Sequence, residues 1–189
     1  MYEQLTAYIN SKISVSDEEM DTILSFFKPV QLGKNELLLA HGQSSQRTYF
    51  VGSGCLRIFF ITEDGQDATR YFAFEGQFAT ALVSFITGER SEEFIQAVEE
   101  TEVFSIAHDD FYRLLELVPQ WEKFYRIYLE IAYVTNTKRL MSFLTLDAKE
   151  KYRRLMEDSP HIVQRLSNKM VASYLNISQE TLSRLKSKL

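Results

Sequence analysis

Cysteine, proline and glycine are scarce in this chain, at one, three and seven of 189 residues. A lone cysteine, Cys55, makes no intramolecular disulfide and cannot supply a four-thiolate zinc or iron–sulfur site; inside GCLRIFF it reads as a half-buried strand residue. So little Gly and Pro excludes collagen-like and low-complexity chains. Long apolar runs are missing as well. The most apolar helical stretch, IYLEIAYV, is interrupted by Glu130 well short of the roughly 18 residues that a membrane span needs. The start, MYEQLTAYINSKIS, has no basic segment leading into an apolar run, so a soluble cytoplasmic protein with no membrane partner is expected.

What is present is a large hydrophobic share, 45%, enough for one or two globular domains with a substantial core. The net charge of −5 conceals an asymmetry. Residues 1–146 carry 12 Lys or Arg against 21 Asp or Glu, a balance of −9, whereas residues 147–189 carry 9 against 5, a balance of +4. A polyanionic partner would therefore meet the C-terminal segment, although a solvated basic helix face has the same composition.

In chain order, residues 2–27 show helical periodicity, with a second start at Ser16, where Glu19 three residues on completes a capping box; Pro29 ends the stretch. From Val30 to Ile106 the period falls to two, in short segments such as RTYFVG, CLRIFFI and ATRYFAF. Gly42, Gly54, Gly65 and Gly76 punctuate them at separations of 12, 11 and 11 residues, and Asp64-Gly65 is the strongest hairpin signal. This spacing predicts an antiparallel β-roll, a double-stranded β-helix or jelly roll, within an α+β chain. A metal-dependent enzyme of the cupin type would need clustered ligands, but His41, His108 and His161 lie far apart; no nucleophile elbow, Walker loop or HExxH helix is found. Catalysis, a metal and an identifiable cofactor are therefore not expected.

Asp109 is read as the cap of a short helix, and Pro119 as the start of a long one over about 120–146. The long helix is apolar on several faces, at Trp121, Phe124, Tyr128, Ile131, Val134, Leu140 and Leu144 among others. One face can pack on the roll and another needs a second copy, unless a monomer core takes both. Asn136, Lys138 and Arg139 interrupt the pattern. Asp147 then caps a basic amphipathic helix that Ser159-Pro160 stops.

The final stretch, SNKMVASYLNISQETLSRLKSKL, reads as two short helices and a tight turn. Ser167 caps the first, Val171 and Leu175 point inward, and Ala172 sits where the helices approach closely. Asn176 suits a left-handed turn, and Ser178 caps the second helix. With Leu182 and Leu185 inward, Gln179, Glu180 and Arg184 face out. Gln can bond adenine, Glu can accept from the cytosine amine and Arg can fork onto guanine, while cap hydroxyls and lysines can take phosphates.

With these elements the chain resembles the Crp/Fnr family of bacterial transcription regulators, through VASYLNISQETLSRLKSKL and the glycine ladder HGQ, GSGCLR, EDGQ and FEGQF. The resemblance implies a cyclic-nucleotide-binding-like roll over residues 1–118, a dimerisation helix over 119–146 and a helix-turn-helix domain over 147–189. It implies a homodimer on double-stranded DNA, with RNA polymerase as a further partner. It assigns base contacts to Gln179, Glu180 and Arg184, with Lys169, Ser178, Thr181 and Lys188 as phosphate candidates. The chain stops at Leu189, so no β-wing is expected after the recognition helix.

Departures from the family pattern concern the sensor. Members that bind cyclic AMP carry a Gly-Glu pair for the ribose and an Arg-Ser pair for the phosphate. Thr80 and Ala81 stand at the first, Ser91 and Glu92 at the second, with Arg90 one place off. Cyclic AMP in the usual mode is not expected. The implied pocket is formed by Phe78, Thr80, Ala81, Leu82, Arg90 and Ser91, closed by Val134 and Thr135, and it takes an unknown small-molecule effector or none. A scaffold whose degenerate helix-turn-helix binds protein is the alternative.

Overall fold

Helix starts depend on a few neighbouring residues, and the computed structural model, which describes residues 2–187, shows this at its first caps. After α1 (Glu3–Asn10), the Ser16 hydroxyl accepts from the Glu19 amide and the Glu19 carboxylate accepts from the Ser16 amide, so both reciprocal bonds of the capping box open α2 (Asp17–Ser25). Eight strands follow: β1 (Lys28–Leu32), β2 (Leu37–Leu39), β3 (Arg47–Ser53), β4 (Leu56–Ile61), β5 (Asp67–Ala73), β6 (Phe78–Ala79), β7 (Phe94–Ala97) and β8 (Thr101–Ala107). The short helix α3 (Leu82–Thr87) lies between β6 and β7. One sheet has the order β1-β8-β3-β6 and the other β2-β7-β4-β5, and the result is a jelly-roll-like antiparallel fold.

The four ladder glycines Gly42, Gly54, Gly65 and Gly76 all have positive φ, which is why their spacing marks successive turns. Gly54 is the tightest: a Cβ there would stand 2.6 Å from the Glu100 carbonyl oxygen.

After the roll come α4 (His108–Leu117), α5 (Gln120–Thr145), α6 (Ala148–Asp158), α7 (Pro160–Arg165), α8 (Asn168–Leu175) and α9 (Gln179–Lys186). One local expectation needs correction. Asp109 is not the cap of α4. Strand β8 runs directly into the helix, Ala107 takes the cap position with extended backbone, and the Asp109 carboxylate instead lies 2.9 Å from the His108 ring. Ser159-Pro160 does stop α6, as its sequence implies; after a break of one residue Pro160 opens a further short helix, α7, where its missing N–H is no loss.

The chain divides into two compact units, Met1–Phe59 with Phe72–Glu130, and Phe60–Tyr71 with Ile131–Leu189, so the division passes through α5. The core of the first unit joins α1, α2, α4 and the start of α5 to one sheet face, through Leu5, Ile9, Ile23, Phe50, Phe104, Phe111, Trp121 and Phe124. Some rings meet edge to face, as in Phe50–Phe78 at 5.1 Å and Phe111–Trp121 at 5.3 Å, while Trp121 and Phe124 stack at 4.4 Å. Burial of each such side chain contributes about 1.5–3 kcal/mol. The second unit combines the β4–β5 hairpin tip, the latter part of α5 and helices α6 to α9, with Tyr152, Leu155, Ile162, Val171, Leu175 and Leu182 buried.

Candidate DNA-binding surface and sensor pocket

The turn between α8 and α9 is built by its own residues. The Ser167 hydroxyl accepts from the Met170 amide at the start of α8, and Asn176 ends that helix in the left-handed region, at φ 53 and ψ 53. Ser178 then caps α9 by accepting from the Thr181 amide at 3.1 Å. Each such cap is worth about 1 kcal/mol. Ala172 is 2% exposed, and its carbonyl accepts from the Ile177 amide at 3.1 Å. The two helices meet over this small residue, with Val171, Leu175 and Leu182 beneath them.

Packing of Leu182 inward turns the other face of α9 to solvent. Gln179, Glu180 and Arg184 are all exposed. Arg184 donates to the Thr181 hydroxyl at 3.1 Å, and Thr181 in turn accepts from the Ser178 hydroxyl at 3.1 Å. The two hydroxyls assigned to phosphate are thus already engaged, whereas Lys169 is exposed at the start of α8. Lys188 lies outside the described residues. The Glu180 carboxyl is held below its ordinary range, first by its own backbone amide, then by the Ser178 hydroxyl and the Arg184 charge. The Lys186 ammonium donates to the Asn168 side chain at 2.6 Å, a tie between the two helices that residue spacing did not reveal.

In the latter part of α5 the apolar residues do not find cover within the chain. Tyr133 is 73% exposed, Leu144 75%, Met141 59% and Leu140 57%, and Val134 is exposed as well. Burial of all faces in a monomer core is thereby set aside. Arg139, which interrupts the apolar pattern, donates from Nη2 to the carbonyls of Thr69 at 2.8 Å and Tyr174 at 2.6 Å.

On the sensor side, Phe78, Thr80 and Leu82 line one small pocket together with Thr48, Phe85, Phe111, Phe124, Tyr125 and Tyr128. None of these lining residues is charged. The Thr80 hydroxyl donates to the Arg47 carbonyl at 3.1 Å, and the Tyr125 hydroxyl meets that of Tyr112 at 3.2 Å, with its pKa raised chiefly by burial. Ala81, Arg90 and Ser91 are not among the residues lining it. Ala81 is the buried cap residue of α3. Ser91 is 4% exposed, its amide and carbonyl bonded to Gln43 and Gly42 and its hydroxyl to the Glu93 backbone. Arg90 is exposed and bridges to Ser44. Val134 and Thr135 belong to the second unit. Among the described residues no cluster of His, Cys, Asp or Glu could hold a metal, and no helix is long and apolar enough to cross a membrane.

An antiparallel roll, a long helix and a helix-turn-helix follow one another along the chain. Residues 29–117 match the cyclic nucleotide-binding domain. Over 105 residues the chain is 29% identical to the cyclic AMP receptor protein of Thermus thermophilus, covering 56% of this chain and 48% of that protein. Over 94 residues it is 31% identical to the fumarate and nitrate reduction regulatory protein of Vibrio cholerae, covering 49% of this chain and 35% of that protein. The matches thus span about half or less of these relatives. Among solved structures, the c-di-GMP responsive global regulator CLP of Xanthomonas campestris superposes with a TM-score of 0.75 at 16% identity, over 92% of this chain and 91% of that one. Residues 29–117 are thus similar to a cyclic nucleotide-binding domain, and the two relatives are by name a receptor for cyclic AMP and a regulatory protein.

Proposed function

We propose that this protein is a sequence-specific DNA-binding transcription regulator of Crp/Fnr type that acts as a homodimer. One observation carries the reading: α9, capped by Ser178 after the left-handed Asn176, presents Gln179, Glu180 and Arg184 to solvent on one side while Leu182 anchors the other. In this reading residues 1–118 sense, 119–146 pair and 147–189 bind DNA. The exposed stripe of α5 meets the same stripe of a second copy, and the two recognition helices enter successive major grooves about 34 Å apart. RNA polymerase is the further partner. Cyclic AMP is not held in the usual mode, since Thr80 and Ala81 offer no carboxylate to a ribose and the Ser91 hydroxyl is committed to its own loop.

Selection of bound duplexes from a random pool, at several salt concentrations, tests the proposal. A near-palindromic consensus whose affinity falls steeply with salt is expected, because neutralised phosphates release counterions. Absence of any enriched sequence, with capture of protein partners instead, would favour the scaffold reading.

A further inference from the structure

Strand β5 is the outer strand of its sheet, so a residue there turns its N–H and C=O either to β4 or outward. Both outward-facing groups of Thr69 are taken by side chains. Its amide donates to Ser173 Oγ at 3.0 Å, and its carbonyl accepts from Arg139 at 2.8 Å. Ser173 Oγ also donates to the Asp67 carbonyl at 2.6 Å. Helix α8 thus covers the strand edge, and Thr69 is only 4% exposed.

Arg139 completes the join. Its second carbonyl bond is to Tyr174 at 2.6 Å, and its guanidinium lies 3.8 Å from the Tyr174 ring centroid and 4.7 Å from that of Phe143. Its Nε is buried without a hydrogen-bond partner, and no carboxylate lies within ion-pair distance of it among the described residues. A largely buried cation balanced only by carbonyls and rings is a poor device for stability, because an apolar side chain of similar volume avoids the desolvation. It is a good device for direction. A planar fork between two rings, bonded to two carbonyls, fixes distance and angle together.

We infer that Arg139 and Ser173 form a clamp that sets the angle of the helix-turn-helix against α5, with Arg139 as a positioning residue that determines which half-site spacing the dimer accepts. The inference rests on the proposed DNA binding. The stripe that pairs two copies is on the same part of α5 as Arg139, so the clamp fixes each recognition helix relative to the dimer axis. Asp67 and Thr69 belong to β5 in the hairpin tip, which shares the second unit with α8 and bonds it directly.

The test compares the full-length wild type with Arg139→Met, which fills the space between the rings without donors, Arg139→Lys and Ser173→Ala. In the free protein, amide hydrogen exchange at Thr69 is expected to quicken about tenfold or more in the Met and Ala variants, since local opening replaces a closed bond. On duplexes whose half-sites are moved by one base pair, the wild type is expected to lose about tenfold in affinity, and Arg139→Met about twofold or less, with Lys between. Urea midpoints of Arg139→Met at or above wild type would support a directional role. Unchanged exchange at Thr69 would overturn the clamp. Equal losses at every spacing would overturn the positioning role and leave a purely structural one. A wild type that binds no duplex overturns the regulator reading and the spacing role with it, while the exchange result separately decides whether the clamp exists.

Discussion

Alanine at Gly54, compared with alanine at Gly76, separates two costs that coincide in most glycine substitutions. Both glycines have positive φ, +87 and +78, and both belong to the first unit. An alanine forced into left-handed backbone costs about 1–2 kcal/mol, offset by roughly 0.4–1 kcal/mol from a stiffer unfolded chain. At Gly76 nothing lies within 4 Å of the new Cβ, so only this conformational cost remains. At Gly54 the Cβ would meet Thr101 Oγ1 at 2.5 Å, the Glu100 carbonyl oxygen at 2.6 Å and Thr101 Cα at 2.9 Å. Two of these are backbone atoms at the start of β8 and cannot swing away. The third is the acceptor for the Cys55 amide at 3.2 Å, so its displacement breaks a buried bond. Such overpacking adds about 1–3 kcal/mol. Gly76→Ala is therefore expected to lose about 0–1.6 kcal/mol and Gly54→Ala about 1–4.6 kcal/mol, the excess at Gly54 being the overpacking. Trp121 is the single tryptophan and is fully buried in the same unit, so its fluorescence in urea reports both variants. Equal losses at the two positions would refute the assigned close approach of the β3–β4 turn to β8.

Four further outcomes are expected. Arg184→Ala should cost about 1–3 kcal/mol on the selected site and relax specificity at one base pair; equal losses on specific and random duplexes in a binding titration would remove its base-reading role. Lys169→Ala should weaken all sequences alike and lower the salt slope by about one, and an unchanged slope would exclude a phosphate contact. Leu140→Glu, placed on the exposed stripe of α5, should shift sedimentation at micromolar concentration towards the 22.1 kDa monomer, whereas an unchanged dimer would move the interface elsewhere. The Glu150 carboxyl, bonded first to Arg153 and then to Arg154, is lowered to about 2. Because its folded value lies below the unfolded one, its contribution to α6 is complete above the unfolded value of 4.5 and is lost as pH falls towards 2. Carboxyl NMR of Arg153→Ala should show the midpoint returning upward, and no movement would discount the pair.

The features legible in the sequence share one property: their partners lie within four residues. Ser16 with Glu19, Ser167 with Met170, and Ser178 with Thr181 are caps closed across three residues, and Asn176 needs only its own backbone. The glycine ladder was legible for the same reason, since each turn is local. Ser159-Pro160 marks the end of α6 locally, and the same proline, at the first position of α7, opens the next helix. The sheet orders β1-β8-β3-β6 and β2-β7-β4-β5 leave no comparable trace, and neither does the assembly of Thr48, Phe111, Phe124 and Tyr128 around Phe78. Arg139 is the extreme case. It bonds a residue 70 positions earlier and another 35 positions later, and in both it meets a backbone carbonyl. Every residue carries that carbonyl, so no complementary side chain has to appear at Thr69 or Tyr174 for the bond to form. A salt bridge between distant elements leaves two opposite charges for a reader to pair; a fork onto two carbonyls leaves one arginine in an apolar stretch, which reads as an interruption until the chain is folded.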